Sequence, residues 1–400
     1  MATPVSPPKS RIAILVHSLN EGGSQKRVVS LANGFAARGH AVDLVAVSGA
    51  GDVGRLIAAD VRKVVLGSSA IPLPNSLEGL GSLKAYLKRE RPDVLMAGSN
   101  SSHVVAALAC AALNNPPLLV LRAASHPLRQ LPWSRPDKRL REHVRRPIER
   151  WALGRADLVI AVSRESASAI AKMVADPGRI MEIRNPTITA AFRATLATCV
   201  EHRWFDDAEA GGDAVIVAVG RLAPSKDFET LIEAVAIANR SAPVKLILFG
   251  EGQRRRAVEA LIAKRGLSEQ VQLVGHVDGV GGWLKRADLL VSSSLWEGSP
   301  GAIIEAFEAG LPVVATACPG GSVELIDWSN GGMLVPVRDP AAMAAAIVAM
   351  LKRPRDRDAL RALALPYQDD GRAELEYLAA IEGALASKVA APGQAPPSFA

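Results

Sequence analysis

Two cations and two carboxylates stand in short loops that follow apolar runs of this sequence. Arg221 and Lys226 are five residues apart in Gly220-Arg221-Leu222-Ala223-Pro224-Ser225-Lys226-Asp227. A planar guanidinium fork and an ammonium point charge on one loop can converge on a diphosphate. A solvated loop with ordinary charges is the plainer reading, but the position after the apolar run Ala214–Val219 favours a ligand. Glu297 and Glu305 stand eight positions apart across the turn Gly298-Ser299-Pro300-Gly301-Ala302. On one helix they would lie about 12 Å apart. They therefore cannot share a proton, and they suit separate hydroxyl groups of an extended ligand. Backbone N–H groups of Gly298, Ser299 and Gly301 at a helix start suit phosphate. In Asn20-Glu21-Gly22-Gly23-Ser24, paired glycines let the backbone approach a ligand just before another helix. That turn is not G-x-G-x-x-G, so it does not support a dinucleotide dehydrogenase.

Such loops need strands to carry them. Arg11–Val16, Ala41–Val47, Val94–Met96, Pro117–Arg122 and Asp157–Val162 read as strands, with a helix at Gln25–Arg38 ended by Gly39. The rhythm pauses over Thr187–Asp213, where polarity is mixed and no period emerges. It resumes with strands at Ala214–Val219, Lys245–Phe249, Val271–Val274, Leu289–Val291 and Pro312–Ala315, and a helix at Phe228–Ala238. Strands alternating with helices argue for parallel sheets covered on both faces. Two successive α/β halves are expected, meeting near residue 190.

Composition narrows the function classes. Of 400 residues, 49% are hydrophobic and 22% charged, which suits globular domains with sizeable cores. No apolar run reaches the roughly 18–20 residues that span a bilayer; Val104–Leu113 and Ala341–Leu351 fit buried helices. Met1–Arg11 is Pro-rich and lacks the apolar stretch of a signal peptide. Cys110, Cys199 and Cys318 are widely spaced, which fits a reducing cytoplasm and no structural zinc. The net charge is +7, and Arg122–Arg155 alone holds ten Lys/Arg against three Asp/Glu. The basic character is thus one patch, which suggests an anionic partner such as a membrane surface. Trp133 and Trp151 are its only aromatics, too few for base stacking, so nucleic acid is not expected. Leu140, Val144, Ile148 and Trp151 share one helical face there, as a core stripe or as an interfacial helix on anionic lipid. Pro147 is expected to break or kink it. Asp356-Arg357-Asp358 spells a D-x-D metal motif, but in Arg/Pro-rich sequence a surface helix start is the better reading. No H-E-x-x-H, P-loop or G-x-S-x-G is present.

Glu297 to Glu305 resembles the E-x7-E signature of the retaining, nucleotide-sugar-dependent group 1 glycosyltransferases of GT-B fold. Pro312–Glu324 is similar to that family's "PVVAT…GG…E" segment, Gly220–Lys226 to its "GR…K" and Gly250-Glu251-Gly252 to its "GeG" turn. Gly22-Gly23 sits where the family has its glycine loop, and Asp157–Ser163 followed by Asn185-Pro186 resembles its "ADxxIAVS…NP" stretch. The ordered set covers residues 11 to about 340 and is far more specific than any one motif.

The resemblance implies two facing Rossmann-like domains with parallel sheets and an inter-domain cleft. Residues 1–190 would bind the acceptor and 191–365 the nucleotide sugar; a C-terminal helix over 366–388 would pack back on the first domain, and 389–400 would be a disordered tail. Arg221 and Lys226, beside Gly220, would hold the donor diphosphate. Glu305 would accept from the ribose hydroxyls. Glu297, with the amides of Ser299, Gly301 and Ala302, would face the donor sugar and phosphates. Gly22 and Gly23 would close over the β-phosphate, and the base would lie near Gly250 and His276. The donor, a UDP- or GDP-sugar, is a co-substrate; no cofactor is expected, and no metal where two side-chain cations offset the diphosphate. The acceptor would be a lipid-linked or surface-polysaccharide glycan, as in lipopolysaccharide biosynthesis, reached from the cytoplasm at the inner membrane face. Two departures stand out. The family's glycine loop usually continues with Ala and an acidic or amide residue, where this sequence has Ser24-Gln25. A family His after the strand ending near Arg122 corresponds to His126, with His103 as a competitor. A nucleotide-sugar epimerase of similar fold and a non-catalytic scaffold are the alternatives; E-x7-E speaks against the first, and intact Arg221, Lys226, Glu297 and Glu305 against the second.

Overall fold

Uninterrupted runs of Val, Ile, Leu and Ala can be buried on both faces of a sheet, and they form the central strands here. The computed structural model describes residues 9–20, 22–49, 51–67, 79–127, 136–327 and 331–390, with side chains of the helix Pro136–Arg155 described from Arg145 onward. The chain divides into two units. The first comprises residues up to Pro127, Trp133–Ile183 and the chain from Gly371; the second contains Arg184–Asp370.

The first unit holds β1 (Arg11–Val16), β2 (Ala41–Ala46), β3 (Val61–Val65), β4 (Val94–Ala97), β5 (Leu118–Ala123), β6 (Leu158–Ala161) and β7 (Ile180–Glu182). They pair in parallel in the order β3-β2-β1-β4-β5-β6-β7. Alternate residues serve opposite faces. Ile12 and Ile14 pack with Phe35, Tyr377 and Ile381, whereas Ala13 and Leu15 pack with Leu83 and Leu153. The second unit holds β8 (Ala214–Val219), β9 (Val244–Phe249), β10 (Val271–Gly275), β11 (Leu289–Ser292), β12 (Val313–Thr316) and β13 (Gly332–Val335). Their parallel order is β10-β9-β8-β11-β12-β13. Ile216 and Ala218 join Leu231 and Met343 on one face; Val215 and Val217 join Phe205 and Ile304 on the other.

Three strands that the sequence reading lacks, β3, β7 and β13, are all sheet edges. β3 reads Val61-Arg62-Lys63-Val64-Val65 with Arg62 and Lys63 exposed, a pattern suited to an edge, where charge discourages further pairing. The irregular stretch Thr187–Asp213 contains two short helices, Ala190–Thr195 and Arg203–Glu209.

A recurring aspartate locks the strands on either side of a crossover. Asp93 accepts from Arg11 N at 2.7 Å, Asp157 from Leu119 N at 2.7 Å and Asp288 from Val215 N at 2.8 Å. Each Asp immediately precedes one strand and reaches the start of its neighbour, satisfying an amide at the strand's beginning. The "AD" pairs at Ala156-Asp157 and Ala287-Asp288 are therefore structural.

The C-terminal helix Arg372–Ala390 belongs to the first unit and starts after the short 3-10 turn Leu365–Tyr367, rather than at residue 366. It runs two residues into the expected tail; residues 391–400 lie outside the described residues. Tyr377 on this helix accepts from Arg122 Nε at 3.1 Å, and Arg122 also donates to Gly98 O at 3.0 Å. Arg122 is 0% exposed, which corrects its inclusion in a basic surface patch. Within the rest of that segment, Arg145 pairs with Glu149 at 2.5 Å, Arg155 lies over the Trp151 ring, and Arg146 and Arg150 are exposed. The side chains of Arg139 and Arg141, like those of Leu140 and Val144, lie outside the described residues. The helix continues through Pro147; Trp151 packs on the core while Ile148 is 41% exposed, so these two residues of the expected stripe do not share one buried face. Among the described residues no helix is long and apolar enough to cross a membrane.

Candidate functional site

In the second sheet the chain runs outward from β8 through β9 to β10, then returns to start β11 beside β8. The loops at the carboxyl ends of β8 and β11 lie at this reversal, where open α/β sheets bind ligands. One loop carries Arg221–Asp227 and the other Ser293–Pro300.

These two loops are bonded to each other. Ser293 Oγ donates to Lys226 O at 2.7 Å, and Leu295 N donates to Ser225 O at 2.7 Å. Lys226 Nζ meets Glu297 Oε1 at 2.5 Å, with both side chains largely sheltered (25% and 12% exposed). Ser294 Oγ donates to the same carboxylate oxygen at 2.7 Å. The resemblance implies separate ligand roles for Lys226 and Glu297; in the structure the two side chains are paired with each other. An ammonium has three N–H donors, so the pair aims Lys226 without exhausting it. Arg221 is exposed and makes no side-chain hydrogen bond or ion pair with a described residue. Asp227 follows Lys226 in the left-handed region (φ 44°), a conformation that costs an L-residue about 1–2 kcal/mol. Burial pushes the Asp227 carboxyl up, opposed by the Thr230 hydroxyl, which donates to it at 2.7 Å.

Glycines let the neighbouring loops close on these two. Gly250 (φ 132°) follows β9, and a Cβ there would lie 2.0 Å from Gly220 O. Gly320 (φ 119°) follows β12, and a Cβ there would lie 2.1 Å from Glu297 O. Glu297 N in turn donates to Pro319 O at 2.9 Å. Gly250 and Gly320 are thus required by the fold around the site, before any ligand is considered.

Glu305 sits half-buried on the helix Gly301–Glu308, while Glu297 lies on the loop before it, so the two carboxylates do not share a helix. Pro300 caps this helix without a side-chain hydrogen bond. Gly301 and Ala302 supply its first amides, which have no carbonyl partner within a helix. Ser299 precedes them, half-buried. His276 is exposed directly after β10, and Gly250 N donates to Gly275 O at 2.7 Å, so the two expected base-side positions are adjacent.

The remaining candidates lie in the first unit. Gly22 caps the helix Gly23–Ala37 in extended conformation, and a Cβ on Gly23 would meet nothing within 4 Å. Packing therefore does not demand glycine at position 23. His126 follows β5 and is 3% exposed, with Nε2 3.5 Å from Glu165; burial pushes its pKa down and favours the neutral ring. His103 is also buried and bonds through Nε2 to Arg122 O at 2.9 Å. Asp356 accepts from Ala359 N at the start of the helix Arg357–Ala364, and Asp358 pairs with Arg361. The D-x-D triplet is a helix start, and among the described residues no three His, Cys, Asp or Glu gather as a metal-binding group. Sequence reasoning assigned no role to Ser293 and Ser294. Their signal was a Ser292-Ser293-Ser294 run closing an apolar strand.

A model described as Glycosyltransferase Family 4 matches residues 21–190, and one described as Glycosyl transferases group 1 matches 213–353. The lipopolysaccharide core biosynthesis glycosyltransferase LpsE of Rhizobium meliloti is 27% identical over 337 residues, covering 83% of this chain and 86% of that protein. An uncharacterized glycosyltransferase of Methanocaldococcus jannaschii is 35% identical over a shorter stretch of 113 residues, 28% of either chain. Sucrose-phosphate synthase from Thermosynechococcus elongatus has a TM-score of 0.72 at 22% identity, covering 96% of this chain and 100% of that one. Anabaena HepE, solved in complex with UDP and glucose, has a TM-score of 0.69 at 19% identity, covering 96% and 100%. At such identities the likeness is one of fold: paired Rossmann-like α/β domains with parallel sheets.

Proposed function

Because its two halves place this chain among the group 1 glycosyltransferases of GT-B type, we propose that it transfers a hexose from a UDP- or GDP-sugar to a glycan hydroxyl, with retention of configuration. One observation carries this reading: Lys226 and Glu297 meet across the β8/β11 reversal, with Arg221 exposed on the same loop. The diphosphate lies against Arg221, Lys226 and the amides of Gly301 and Ala302. As the glycosidic bond breaks, negative charge grows on the leaving diphosphate, and these prealigned donors stabilise it. Glu305 accepts from the ribose hydroxyls, Glu297 orients Lys226, and the base lies by Gly250 and His276. Gly22 and Gly23 keep the role that the resemblance implies, close backbone approach to phosphate. LpsE's place in lipopolysaccharide core biosynthesis supports a lipid-linked or surface-polysaccharide acceptor.

The test is release of nucleoside diphosphate from a panel of UDP- and GDP-hexoses, with NMR of the sugar product. A retained anomer, formed equally well in excess EDTA, is the expected result. Loss of turnover in EDTA with recovery in manganese would overturn metal independence. Epimerised donor without transfer would mean an epimerase, and no turnover of any donor a scaffold.

The acceptor side adds a membrane contact. Arg146 and Arg150 are exposed on either side of Ile148. Each basic residue near an anionic surface contributes about 1 kcal/mol, and salt screens it. The protein is expected to sediment with phosphatidylglycerol vesicles at low salt and not with phosphatidylcholine vesicles. Replacing Arg146 and Arg150 with Gln should weaken that binding about tenfold or more. Equal binding to both vesicle types would sink the membrane contact.

A further inference from the structure

The stretch Ala190–Glu209, which has no sequence period, packs against the loop that follows β10. Three glycines make room for it. A Cβ on Gly279 would lie 2.4 Å from Thr195 Cγ2, one on Gly281 2.3 Å from Thr195 Oγ1, and one on Gly282 2.5 Å from Thr198 O. Thr195 Oγ1 accepts from Gly281 N at 3.2 Å and donates to Phe192 O at 2.6 Å. Further along, Arg286 donates to Val200 O at 2.8 Å, and the Trp283 ring lies 5.6 Å from His202 and 5.1 Å from Phe249. Phe249 is the residue before Gly250. At its other end the loop leaves Gly275, whose carbonyl accepts from Gly250 N. The loop His276–Val280, between β10 and the helix Gly281–Arg286, is therefore held at both ends, with His276 and Asp278 exposed between.

We propose that Thr195 is a positioning residue for nucleobase selection, fixing this loop through Gly281 and thereby setting which nucleoside diphosphate the donor site prefers. The inference rests on the donor-site reading above. Nucleobases differ in the order of donors and acceptors along their edges, and a site discriminates strongly only when its own polar groups are held in place. A loop held by the surrounding fold has its groups in position before a base arrives. Releasing Gly281 N from Thr195 lets the loop adapt to more than one base.

The test is calorimetric binding of UDP, GDP and ADP to the full chain and its variants. The wild-type protein is expected to prefer one of the three at least tenfold. Thr195→Val keeps the shape but loses the hydroxyl, and should shrink that preference about fivefold, the worth of one ordinary hydrogen bond. Thr195→Ser retains the hydroxyl and should restore it. A purely structural role would lower the melting temperature or weaken all three nucleotides equally, leaving their ratio unchanged; that result overturns the inference. So does a wild-type protein that binds the three alike. Binding of none of them overturns the donor-site reading itself. Should Thr195→Val fail to fold, Gly279→Ala serves, because the nearest atoms its Cβ meets all belong to the Thr195 side chain. It should shift the same ratio, and an unchanged ratio counts against the proposal.

Discussion

Lys226→Ala is expected to slow sugar transfer about 100- to 1,000-fold, the usual cost of losing one prealigned donor to a charge that develops in the transition state. The expectation rests on how the ammonium is held. Glu297 and the hydrogen bonds donated by Ser293 Oγ and Leu295 N fix the Lys226 loop, so little reorganisation is needed as the diphosphate departs. Removing Lys226 also leaves the sheltered Glu297 carboxylate facing the diphosphate without its cation, which adds repulsion to the lost attraction. Ground-state nucleotide binding should weaken less than the rate, because the leaving group gains charge only as the bond breaks. Arg221→Ala separates catalysis from folding: its side chain pairs with no described residue, so the melting temperature should hold while turnover falls. Steady-state kinetics beside calorimetry with UDP and GDP measures both. A Lys226→Ala enzyme with normal kcat would remove Lys226 from the mechanism.

Gly250→Ala is expected to abolish nucleotide binding, and with it much of the stability of the second unit. At φ 132° an L-residue is strained by about 1–3 kcal/mol before any contact is counted. The added Cβ would also sit 2.0 Å from Gly220 O, and that obstacle is backbone that cannot rotate aside. Either β9 retreats or the loop bearing Arg221 and Lys226 shifts. A shift of about 1 Å in a positioning loop already costs about 100-fold in rate. Gly23→Ala is the contrasting variant, since its Cβ enters open space and should leave the fold intact. Thermal unfolding together with UDP and GDP titration distinguishes the two. A Gly250→Ala protein that melts and binds like the wild type would show that the close approach at Gly220 is not needed.

The interior strands could be read directly, because burial on both faces leaves a continuous apolar run. β1 and β8 coincide with their sequence-read bounds, and β4, β5, β6, β9, β11 and β12 agree within a residue at each end. Of the four edge strands, β10 was legible as Val271–Val274, and the three that escaped are interrupted by charge or glycine. Arg62 and Lys63 in β3, Glu182 in β7 and Gly332 in β13 dilute the apolar signal there. Glycine-rich turns, the cations of one loop and the E-x7-E pair were likewise visible, since they depend on residue type and local spacing.

Local pattern was enough for the α/β rhythm, the two halves and the residues able to meet a diphosphate, because periodicity and turn chemistry act over a few residues. Strand order decided the rest. Lys226 and Glu297 are 71 residues apart and meet only because β11 returns beside β8. Arg122 looks like one more charge in a basic segment, yet it is buried because β5 lies under Tyr377, 255 residues on. Thr195 looks like any polar residue in an irregular stretch until three glycines far along the chain are seen to make room for it. In each case the partner is chosen by long-range packing, and no local pattern encodes which distant backbone will arrive.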